Sequence, residues 1–476
     1  MTEARSLHLT SYIAGEPVES EDLLEVFNPY NGQPVGTVTM GSPADAERAM
    51  AVAVTPAERQ TRYQRSQVLL DTREALLKER EAIAQLIMSE SGLCLRETRY
   101  EVGRASDVLQ FASMEALRDD GQIFSCDVSP QGKQRKIFTT REPVRLALAI
   151  TPFNHPLNQV VHKLAPAVAA GVPVILKPPK RTPLTAIRLV EMLYQAGLPA
   201  DMLSVLVGDN TTVIEPMITD PRVELVSFTG STGVGKKIAT LAGYKKTCLE
   251  LGGNSPLIIL EDADMDLAVK LAAEGCYRNS GQRCTAVKRL LVHDDILEEF
   301  TSRLVAISAE YLCGDPADET TRVGTVIDEA AAIELETVVQ QAVEAGARIL
   351  YGGHRSGAQM EPTVIADVPR DCQMVVEESF GPLAPILAVR DLDDAIEVAN
   401  ATAFGLSSGI VTRDIDQAIE AVKRIRSGTV NINEVPGYRI EASPFGGIKD
   451  SGLGIKEGVI EAMKFLTNVK TFSLPW

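Results

Sequence analysis

The chain has 476 residues, 45% of them hydrophobic and 23% charged, with a formal net charge of −17 at neutral pH. This length exceeds one ordinary core, so two or three substructures are expected. The acidic balance argues against a nucleic-acid partner or an anionic membrane, because both need clustered positive charge. An anionic ligand would therefore need a local basic pocket in this protein.

The seven cysteines are odd in number and scattered, without a C-x-x-C or a Cys/His cluster. This pattern predicts a reduced, cytoplasmic protein with no metal site. The first residues lack the apolar core of a signal peptide, and no stretch approaches the roughly 18 consecutive apolar residues of a membrane span. We therefore expect neither secretion nor insertion into a bilayer.

The first third of the chain contains local strand and helix signals. Short strands and turns over residues 7–40 precede a helix whose capping box begins at Ser42. Residues 63–118 carry apolar positions at helical spacing. Two β-rich runs, 123–128 and 135–140, flank a Pro-Gln-Gly turn and predict a hairpin.

From residue 146 onward, short apolar runs alternate with helical stretches. This alternation predicts a parallel, doubly wound α/β sheet, which binds ligands at the carboxyl ends of its strands. A second α/β series begins near Pro256, and the tail, 462–476, is apolar and strand-like. The predicted strands are 146–150, 172–176, 203–207 and 224–228 in the first series, and 256–260, 287–292, 386–390 and 408–411 in the second.

A cysteine with an unusual setting lies in residues 279–285, which read Asn-Ser-Gly-Gln-Arg-Cys-Thr. Arg283 directly precedes Cys284, and a nearby guanidinium favours the reactive thiolate. A lone cysteine in a cytosolic chain is more often a packed or surface residue. Context from two further blocks favours a chemical role here.

The two further blocks supply a carboxylate and an amide. Residues 249–256 read Leu-Glu-Leu-Gly-Gly-Asn-Ser-Pro and place Glu250 before two glycines. Residues 150–156 read Ile-Thr-Pro-Phe-Asn-His-Pro and place Asn154 after a predicted strand. Alone, Glu250 would be interpreted as a helix cap or a salt-bridge partner. With Cys284, the three side chains are the parts of acyl-transfer chemistry.

In this order, the three blocks resemble the aldehyde dehydrogenase superfamily over nearly the whole chain. The resemblance implies an α/β aldehyde dehydrogenase fold, with a Rossmann-like cofactor domain, an α/β catalytic domain and a small β oligomerisation arm. It also implies a homodimer or homotetramer that uses NAD or NADP. The expected cofactor domain is 1–121 and 143–249, the catalytic domain 250–456, and the oligomerisation segments 122–142 and 457–476.

The resemblance gives the three side chains distinct catalytic roles. Cys284 is expected to attack an aldehyde carbon. The Asn154 amide and the Cys284 backbone N–H are expected to hold the oxyanion. After hydride transfer, Glu250 is expected to activate the water that hydrolyses the thioester to a carboxylate.

Residues 230–237 almost match a phosphate-binding loop, but Lys237 replaces the hydroxyl residue that would hold Mg²⁺. An NTPase is therefore disfavoured. The better interpretation is a glycine-rich strand-to-helix turn that faces a dinucleotide pyrophosphate, although a plain helix N-terminus stays open from this motif alone. Resemblance to the family supports the first interpretation.

The cofactor-binding set follows from the same resemblance. Glu378 is expected to bind the nicotinamide ribose and Phe380 to pack beside the ring, whereas without context such carboxylates are solvated surface charge. Lys180 stands where many NAD-preferring members carry an acidic residue, so we expect dual use of NAD and NADP. The full expected set is Thr151, Pro152, Phe153, Lys177, Pro179, Lys180, Gly208, Gly230, Ser231, Leu251, Gly252, Glu378 and Phe380.

Four basic residues are candidates for binding an anion. His155 directly follows Asn154 and Arg283 directly precedes Cys284, while Arg104 ends the run 100–104 and Arg439 lies just before residues 443–452. Such residues around one carbonyl would be costly unless they met an anion, and forked arginine donors suit a phosphonate or phosphate. The alternative is that Arg104 and Arg439 are exposed salt-bridge partners.

Within the superfamily, the chain resembles the phosphonoacetaldehyde dehydrogenases, and this resemblance implies that the four residues form a phosphonate-binding set. The expected reaction is the oxidation of phosphonoacetaldehyde, a small anionic aldehyde, to phosphonoacetate. The alternatives are an aldehyde dehydrogenase for glyceraldehyde 3-phosphate, phosphonoformaldehyde or lactaldehyde, and a structural protein that reuses the fold without catalysis.

Overall fold

The computed structural model describes residues 7–55, 59–454 and 456–476. The expectation that no signal peptide is present concerns residues 1–6, which lie outside the described residues. The strands are β1 (Leu7–Leu9), β2 (Tyr12–Ile13), β3 (Glu16–Pro17), β4 (Leu23–Phe27), β5 (Pro34–Thr39), β6 (Ile123–Ser125), β7 (Arg135–Pro143), β8 (Ala147–Ile150), β9 (Val174–Lys177), β10 (Leu203–Val205), β11 (Leu225–Thr229), β12 (Lys246–Glu250), β13 (Ser255–Ile259), β14 (Val287–His293), β15 (Arg348–Tyr351), β16 (Arg355–Ser356), β17 (Gln359–Met360), β18 (Thr363–Ala366), β19 (Leu383–Val389), β20 (Ser407–Val411), β21 (Thr429–Ile432) and β22 (Thr467–Pro475).

Helices cover both sheets and form the long segment before residue 118. The α-helices are α1 (Pro43–Ala53), α2 (Arg62–Lys78), α3 (Arg80–Ser91), α4 (Leu95–Ala116), α5 (Asn158–Ala170), α6 (Leu184–Gln195), α7 (Glu215–Thr219), α8 (Thr232–Ala242), α9 (Met265–Tyr277), α10 (Leu297–Ser308), α11 (Glu329–Glu344), α12 (Gln373–Val376), α13 (Leu392–Asn400), α14 (Ile415–Arg424) and α15 (Val459–Phe465). The predicted capping box of α1 is present, since Ser42 and Asp45 exchange side-chain and backbone bonds.

The first large sheet has the strand order β12-β11-β8-β9-β10-β2-β3. Strands β8 to β12 run parallel, and the short β2 and β3 add an antiparallel edge. One face packs on the buried sides of α2 to α6, and the other packs on α1, α7 and α8. This arrangement is the doubly wound sheet that the alternation predicts.

The second large sheet has the order β15-β18-β19-β14-β13-β20-β21. Its pairings are parallel except at the edge strand β15. Glu250 ends β12 of the first sheet and Ser255 begins β13 of the second. Residues 251–254 therefore connect the two sheets. Glu250, at the end of β12, lies at the carboxyl edge of the first sheet, where a ligand would bind.

A separate three-stranded sheet, β22-β7-β6, forms an exposed arm. The predicted hairpin is confirmed, because β6 pairs antiparallel with β7, and β22 pairs with β7 along its whole length. The prediction of a strand from residue 462 is wrong at its start. Residues 459–465 form α15 instead, since burying Val459 and Leu466 in the first core stabilises a helical turn there. The domain boundaries proposed above stay a prediction.

Among the described ranges, none of the helices combines the length and the apolar character that crossing a bilayer requires.

Candidate active site

The segment before Cys284 adopts an unusual backbone. Asn279, Ser280 and Gly281 have φ angles of 59°, 52° and 69°. Non-glycine residues are uncommon at positive φ, and such strain of roughly 1–3 kcal/mol per residue concentrates at functional sites. A Cβ on Gly281 would lie 2.0 Å from the Gly381 carbonyl oxygen, so only glycine fits that position.

Buried side chains hold this segment in place. The Gln282 Oε1 accepts from the Ile327 N–H at 2.9 Å, and its Nε2 donates to the Thr325 carbonyl at 3.3 Å. The Lys288 Nζ donates to the Gly281 carbonyl at 2.7 Å. Together these contacts offset the strain and fix the approach to Cys284.

The structure brings the three predicted catalytic blocks together. The Asn154 Nδ2 donates to the Gln282 carbonyl at 2.8 Å, two residues before Cys284. A side-chain amide has two N–H donors, so the second is left for an oxyanion. On the other side, a Cβ on Gly253 would lie 2.1 Å from the Cys284 carbonyl oxygen, which places the Glu250 block directly against the nucleophile.

The expectation that Arg283 activates Cys284 stays a prediction, and in the structure burial is the largest influence on the thiol. Burial raises the pKa of the Cys284 thiol to about 12, with the Glu378 carboxylate adding to the shift, and Arg439 opposes it. The Arg283 guanidinium instead donates to the carbonyls of Glu274 and Gly275 at 3.1 and 2.8 Å. Those carbonyls at the C-terminal end of α9 are the acceptors a helix leaves unsatisfied, so they orient Arg283 away from a simple pairing with the thiolate.

Glu250 is buried, and neither carboxyl oxygen has a hydrogen-bond partner among the described residues. Burial raises its pKa well above the usual value, and the charge of Glu457 raises it further. Glu457 itself is held by Lys163, with the Nζ and Oε1 atoms 3.0 Å apart. The Glu250 carboxyl is therefore harder to ionise than an ordinary glutamate, and no described side chain holds it in a fixed position.

A cavity of about 280 Å³ opens onto Cys284 and is lined by all four predicted substrate residues. The Arg439 guanidinium stacks 3.8 Å from the Phe445 ring centroid, and its buried Nη1 has no partner among the described residues. The His155 Nδ1 lies 3.6 Å from the Glu101 Oε2. The sequence-based grouping of these residues is thus matched by one shared cavity.

Arg104 has a partner that the sequence did not suggest. Its Nε bonds the carboxylate of Glu441, whose other oxygen lies 2.5 Å from the His162 Nε2. All three residues are at least partly buried. The salt-bridge alternative therefore holds for Arg104 in a buried form, whereas Arg439 forms no ion pair with any described carboxylate.

The sequence interpretation also missed Arg278, which lines the same cavity. Its Nη2 lies 3.1 Å from the Glu97 Oε2, and its guanidinium stacks 4.5 Å from the Tyr100 ring centroid. The available signal was its place one residue before the Cys284 segment. Glu441 offered a weaker signal, two residues after Arg439, while Lys163 and Glu457 offered none because their partners are remote in sequence.

The strand-to-helix turn between β11 and α8 fits a dinucleotide pyrophosphate. The Gly230 N–H donates to the Glu250 carbonyl at 3.0 Å, and Ser231 caps α8 without a side-chain bond to its first turn. The free N–H groups of that turn suit a phosphate. Lys236 and Lys237 pair with Asp450 and Glu215 at 2.7 and 2.5 Å, so neither lysine serves a phosphate loop of the NTPase kind.

The predicted lysines lie at the end of β9 and in the loop that follows it. The Thr151 N–H donates to the Lys177 carbonyl at 3.2 Å, and the buried Thr151 Oγ1 has no partner among the described residues. Burial lowers the pKa of Lys177 to about 8, and the nearby charge of Lys180 lowers it further. The Lys180 Nζ lies 3.9 Å from Asp209, the residue after Gly208. Pro152 and Pro179 lie in the same two loops.

Glu378 and Phe380, the residues expected to bind the nicotinamide half of the cofactor, lie beside the connecting segment 251–254. The Glu378 Oε1 accepts the Gly253 N–H at 3.0 Å, and a Cβ on Gly252 would lie 2.5 Å from the other oxygen. Burial raises the pKa of Glu378 to about 7, while the ammonium of Lys288 opposes that shift. The rings of Phe153 and Phe380 meet edge to face at 6.0 Å.

Leu251 packs against α8, where a Cβ on Gly235 would lie 2.3 Å from it. The orphaned Thr151 hydroxyl, the glycine cradle and the free helix turn therefore fit NAD or NADP. Within the described residues, no cluster of His, Cys, Asp and Glu has the arrangement of a metal site.

Comparison with known proteins agrees with this site. A profile of the aldehyde dehydrogenase family matches residues 17–472. The chain is 37% identical to a 3-sulfolactaldehyde dehydrogenase of Priestia aryabhattai, covering 97% of each protein. By virtue of this match the chain belongs to the aldehyde dehydrogenase family.

Solved structures of high similarity share the whole fold. Aldehyde dehydrogenase 21 from Physcomitrella patens, in complex with the reaction product succinate, has a TM-score of 0.95 at 35% identity over 98% of each chain. Glyceraldehyde-3-phosphate dehydrogenase GapN from Methanocaldococcus jannaschii, complexed with NADP, has a TM-score of 0.91 at 32% identity over 96% of this chain and 100% of that one.

Proposed function

We propose that the chain oxidises a short aldehyde whose far end is a strong anion, using NAD or NADP, and that phosphonoacetaldehyde is the substrate that fits best. The observation that carries the proposal concerns Arg283 and Arg439 in the cavity that contains Cys284. Neither guanidinium forms an ion pair with a described carboxylate, and each has one buried nitrogen without a hydrogen-bond partner among the described residues. An unmatched buried charge is costly, so these two groups imply an anion that completes the site.

The ion pairs of the cavity leave two guanidinium groups for an anion, although Glu97, Glu101, Glu274 and Glu434 also line it. Four arginines line it, but Arg104 is matched by Glu441 and Arg278 by Glu97. Arg283 and Arg439 remain, and Arg283 stays charged at neutral pH because burial lowers its pKa only to about 10. A phosphonate can carry two negative charges, whereas a carboxylate carries one. Its three oxygens also suit forked donors.

In the proposed reaction, each side chain around Cys284 has a separate role. The Cys284 sulfur attacks the aldehyde carbon, and the free N–H of the Asn154 amide stabilises the oxyanion. The bound nicotinamide would accept the hydride. Glu250 takes the proton of the water that opens the thioester, for which its lack of a fixed partner leaves it free to turn.

A sulfonated aldehyde is the second candidate. The specific support for it is the 3-sulfolactaldehyde dehydrogenase at 37% identity over 97% of the chain. A sulfonate has the same three-oxygen shape with one charge fewer. The relatives that act on succinate-forming or phosphorylated substrates show that anionic aldehydes recur among similar proteins.

An aldehyde panel tests the proposal directly. Initial rates of NADH and NADPH formation would be measured with phosphonoacetaldehyde, sulfoacetaldehyde, glyceraldehyde 3-phosphate, lactaldehyde and propanal. We expect kcat/KM to be highest for phosphonoacetaldehyde and lowest for propanal. A preference for sulfoacetaldehyde would select the second candidate, and equal values for propanal would contradict an anion site.

Replacing Arg439 should separate charged from neutral substrates. We expect Arg439→Gln to raise KM for phosphonoacetaldehyde about ten- to hundredfold, since a charge-assisted bond is worth roughly 1.5–3 kcal/mol. The KM for propanal should change little. Arg104→Gln is a poorer probe alone because it strands the buried Glu441, so the matched control is Arg104→Gln combined with Glu441→Gln. Equal losses for both aldehydes in Arg439→Gln would make that arginine structural.

The charge at residue 180 should govern the choice between NAD and NADP. We expect Lys180→Glu to lower kcat/KM for NADP by about tenfold or more, with a smaller effect on NAD, because a carboxylate repels the 2′-phosphate. Asp209→Asn is the matched variant, since asparagine keeps the cap at residues 211 and 212 while removing the charge beside Lys180. It should improve NADP use. Strict NAD dependence of the wild type would contradict this role of Lys180.

The exposed arm supports a homodimer or homotetramer. Its apolar side chains are unusually open for a folded sheet, with Trp476 71% and Val469 57% exposed. Phe472 stacks on Phe138 at 5.3 Å and is itself 45% exposed. Phe138 also contacts Trp476, with ring centroids 6.3 Å apart, and exposed aromatic residues grouped in this way mark an interface. We expect Val469→Asp to reduce the sedimentation coefficient to that of a 51.4 kDa monomer, while Val128→Asp, in the turn beyond β6, leaves the assembly intact. A monomeric wild type would contradict the assignment.

A further inference from the structure

A second cavity of about 380 Å³ lies beside the one that opens onto Cys284. The two share a wall formed by Glu97, Tyr100, Glu274 and Arg278. We call the second one the outer cavity. The exposed side chains of Arg96 and Tyr100 show that it faces solvent, and it does not contain Cys284.

The outer cavity concentrates positive charge. Besides the shared Arg278, it is lined by Arg80, Arg96, Arg99 and Arg322. Arg99 is matched, because it pairs with both Glu81 and Glu319 at 2.8 Å. Among the described residues, no carboxylate lies within 4.0 Å of the other three guanidiniums that are not shared, and none of those three donates a side-chain hydrogen bond.

Three unmatched arginines in one concavity are unexpected in a protein with a net charge of −17. Surface arginines usually lie near carboxylates when acidic residues are in excess, and like charges in a cleft repel one another. The five arginines outnumber the two carboxylates of the lining, Glu97 and Glu274, and a cleft with an excess of one sign of charge raises the local concentration of counter-ions. The stacking of Arg322 on Tyr311, 5.3 Å from the ring centroid, gives one of these charges a fixed position.

We propose that the outer cavity is an entry site that captures the phosphonate or sulfonate group of the aldehyde before it reaches Cys284. This inference rests on the proposed function. The shared wall gives the captured anion a short path, because Arg278 contacts both cavities and is held there only by Glu97 and the Tyr100 ring. The anion then leaves the unmatched arginines of the outer cavity and binds Arg283 and Arg439 in the cavity that contains Cys284.

The entry site acts on association and not on the chemical step. Its effect therefore belongs in kcat/KM at low ionic strength and disappears when salt screens exposed charges, since the screening length falls to about 3 Å at 1 M salt. A neutral aldehyde feels no such attraction. These two properties separate the entry site from the inner cavity, whose buried charges are screened much less.

The test compares the full-length enzyme with its R96Q/R322Q variant across a series of salt concentrations. Values of kcat/KM would be measured for phosphonoacetaldehyde and for propanal. We expect the variant to lose about three- to tenfold in kcat/KM for phosphonoacetaldehyde at low salt, with kcat unchanged and no loss at high salt. Propanal should behave identically in both enzymes, and R96K/R322K should retain most of the wild-type value.

The charge-matched control is K270Q/K423Q, which removes the same net charge from two exposed lysines that line neither cavity. It should match the wild type. If R96Q/R322Q keeps the wild-type salt dependence, or loses activity equally toward propanal, the outer cavity is not an entry site. The proposed function is tested separately by the wild-type enzyme at high salt. If kcat/KM there is no higher for phosphonoacetaldehyde than for propanal, the inner cavity does not bind the anion, and both the proposed function and the entry site are contradicted.

Discussion

Cys284→Ala should reduce aldehyde oxidation to below about one-thousandth of the wild-type rate, because loss of a catalytic nucleophile costs at least that much. The fold and the binding of NAD(P) should survive, since the substitution removes one sulfur atom from a segment held by Gln282 and Lys288. Cys126→Ala is the matched control, in the arm and remote from the cavity, and it should retain full activity. Residual turnover within about tenfold of the wild type would show that Cys284 is not the nucleophile.

The thiol should also be hard to ionise before substrate arrives. Because burial raises its pKa to about 12, the thiolate fraction at neutral pH is small and grows about tenfold with each pH unit. Alkylation of Cys284 by iodoacetamide in the free enzyme should rise accordingly between neutral and alkaline pH. The Cys284→Ala variant identifies the signal that belongs to this residue.

Glu250→Gln should divide the reaction into its two halves. Acylation of Cys284 needs no water, so we expect a burst of NAD(P)H about equal to the number of active sites, followed by turnover reduced by about 10²–10⁴-fold because the base is gone. Rapid mixing with phosphonoacetaldehyde would measure both phases. Glutamine keeps the shape of the buried side chain, so the fold is preserved.

The pH dependence provides an independent check on Glu250. Its pKa lies well above the usual value because of burial and then Glu457. The carboxyl is therefore protonated at low pH and becomes a base only as the pH rises, so steady-state turnover of the wild type should increase with pH. The slow phase of Glu250→Gln should lose that increase. A variant that binds substrate and cofactor normally but gives no burst would remove the deacylation role from Glu250.

The strands of both large sheets were predictable because parallel strands buried on two faces are continuous apolar runs. The ends of those runs place Lys177 and Glu250 at the carboxyl edge of the first sheet, where Asn154 follows β8. In contrast, the limits of α15 depend on Val459 and Leu466 entering a core built by residues far upstream. Local strand propensity in the tail could not reveal that burial.

The sequence predicted several residues that line the cavity, but it did not predict their ion pairs or their pKa shifts. The grouping of His155 and Arg283 followed from their places beside Asn154 and Cys284, whereas Arg104 and Arg439 were grouped with them through the family resemblance. The partner of Arg104 is Glu441, which lies 337 residues away in the chain, and no local pattern signals such a pair. The direction in which the Cys284 pKa shifts depends on burial, and the presence of an arginine next to it in the sequence does not reveal that burial.

The left-handed tract at residues 279–281 has a consequence for any effort to make this enzyme more thermostable. Selection for higher melting temperature favours substitutions that relax unfavourable backbone, and Ser280→Gly is the simplest one here because glycine accepts a φ of 52° without cost. The substitution would also loosen the segment before Cys284, so the Cys284 sulfur would occupy a wider range of positions. Resilience to heat and catalytic speed are therefore opposed at this tract, and stabilising changes are better sought in the helices on the far side of the sheet.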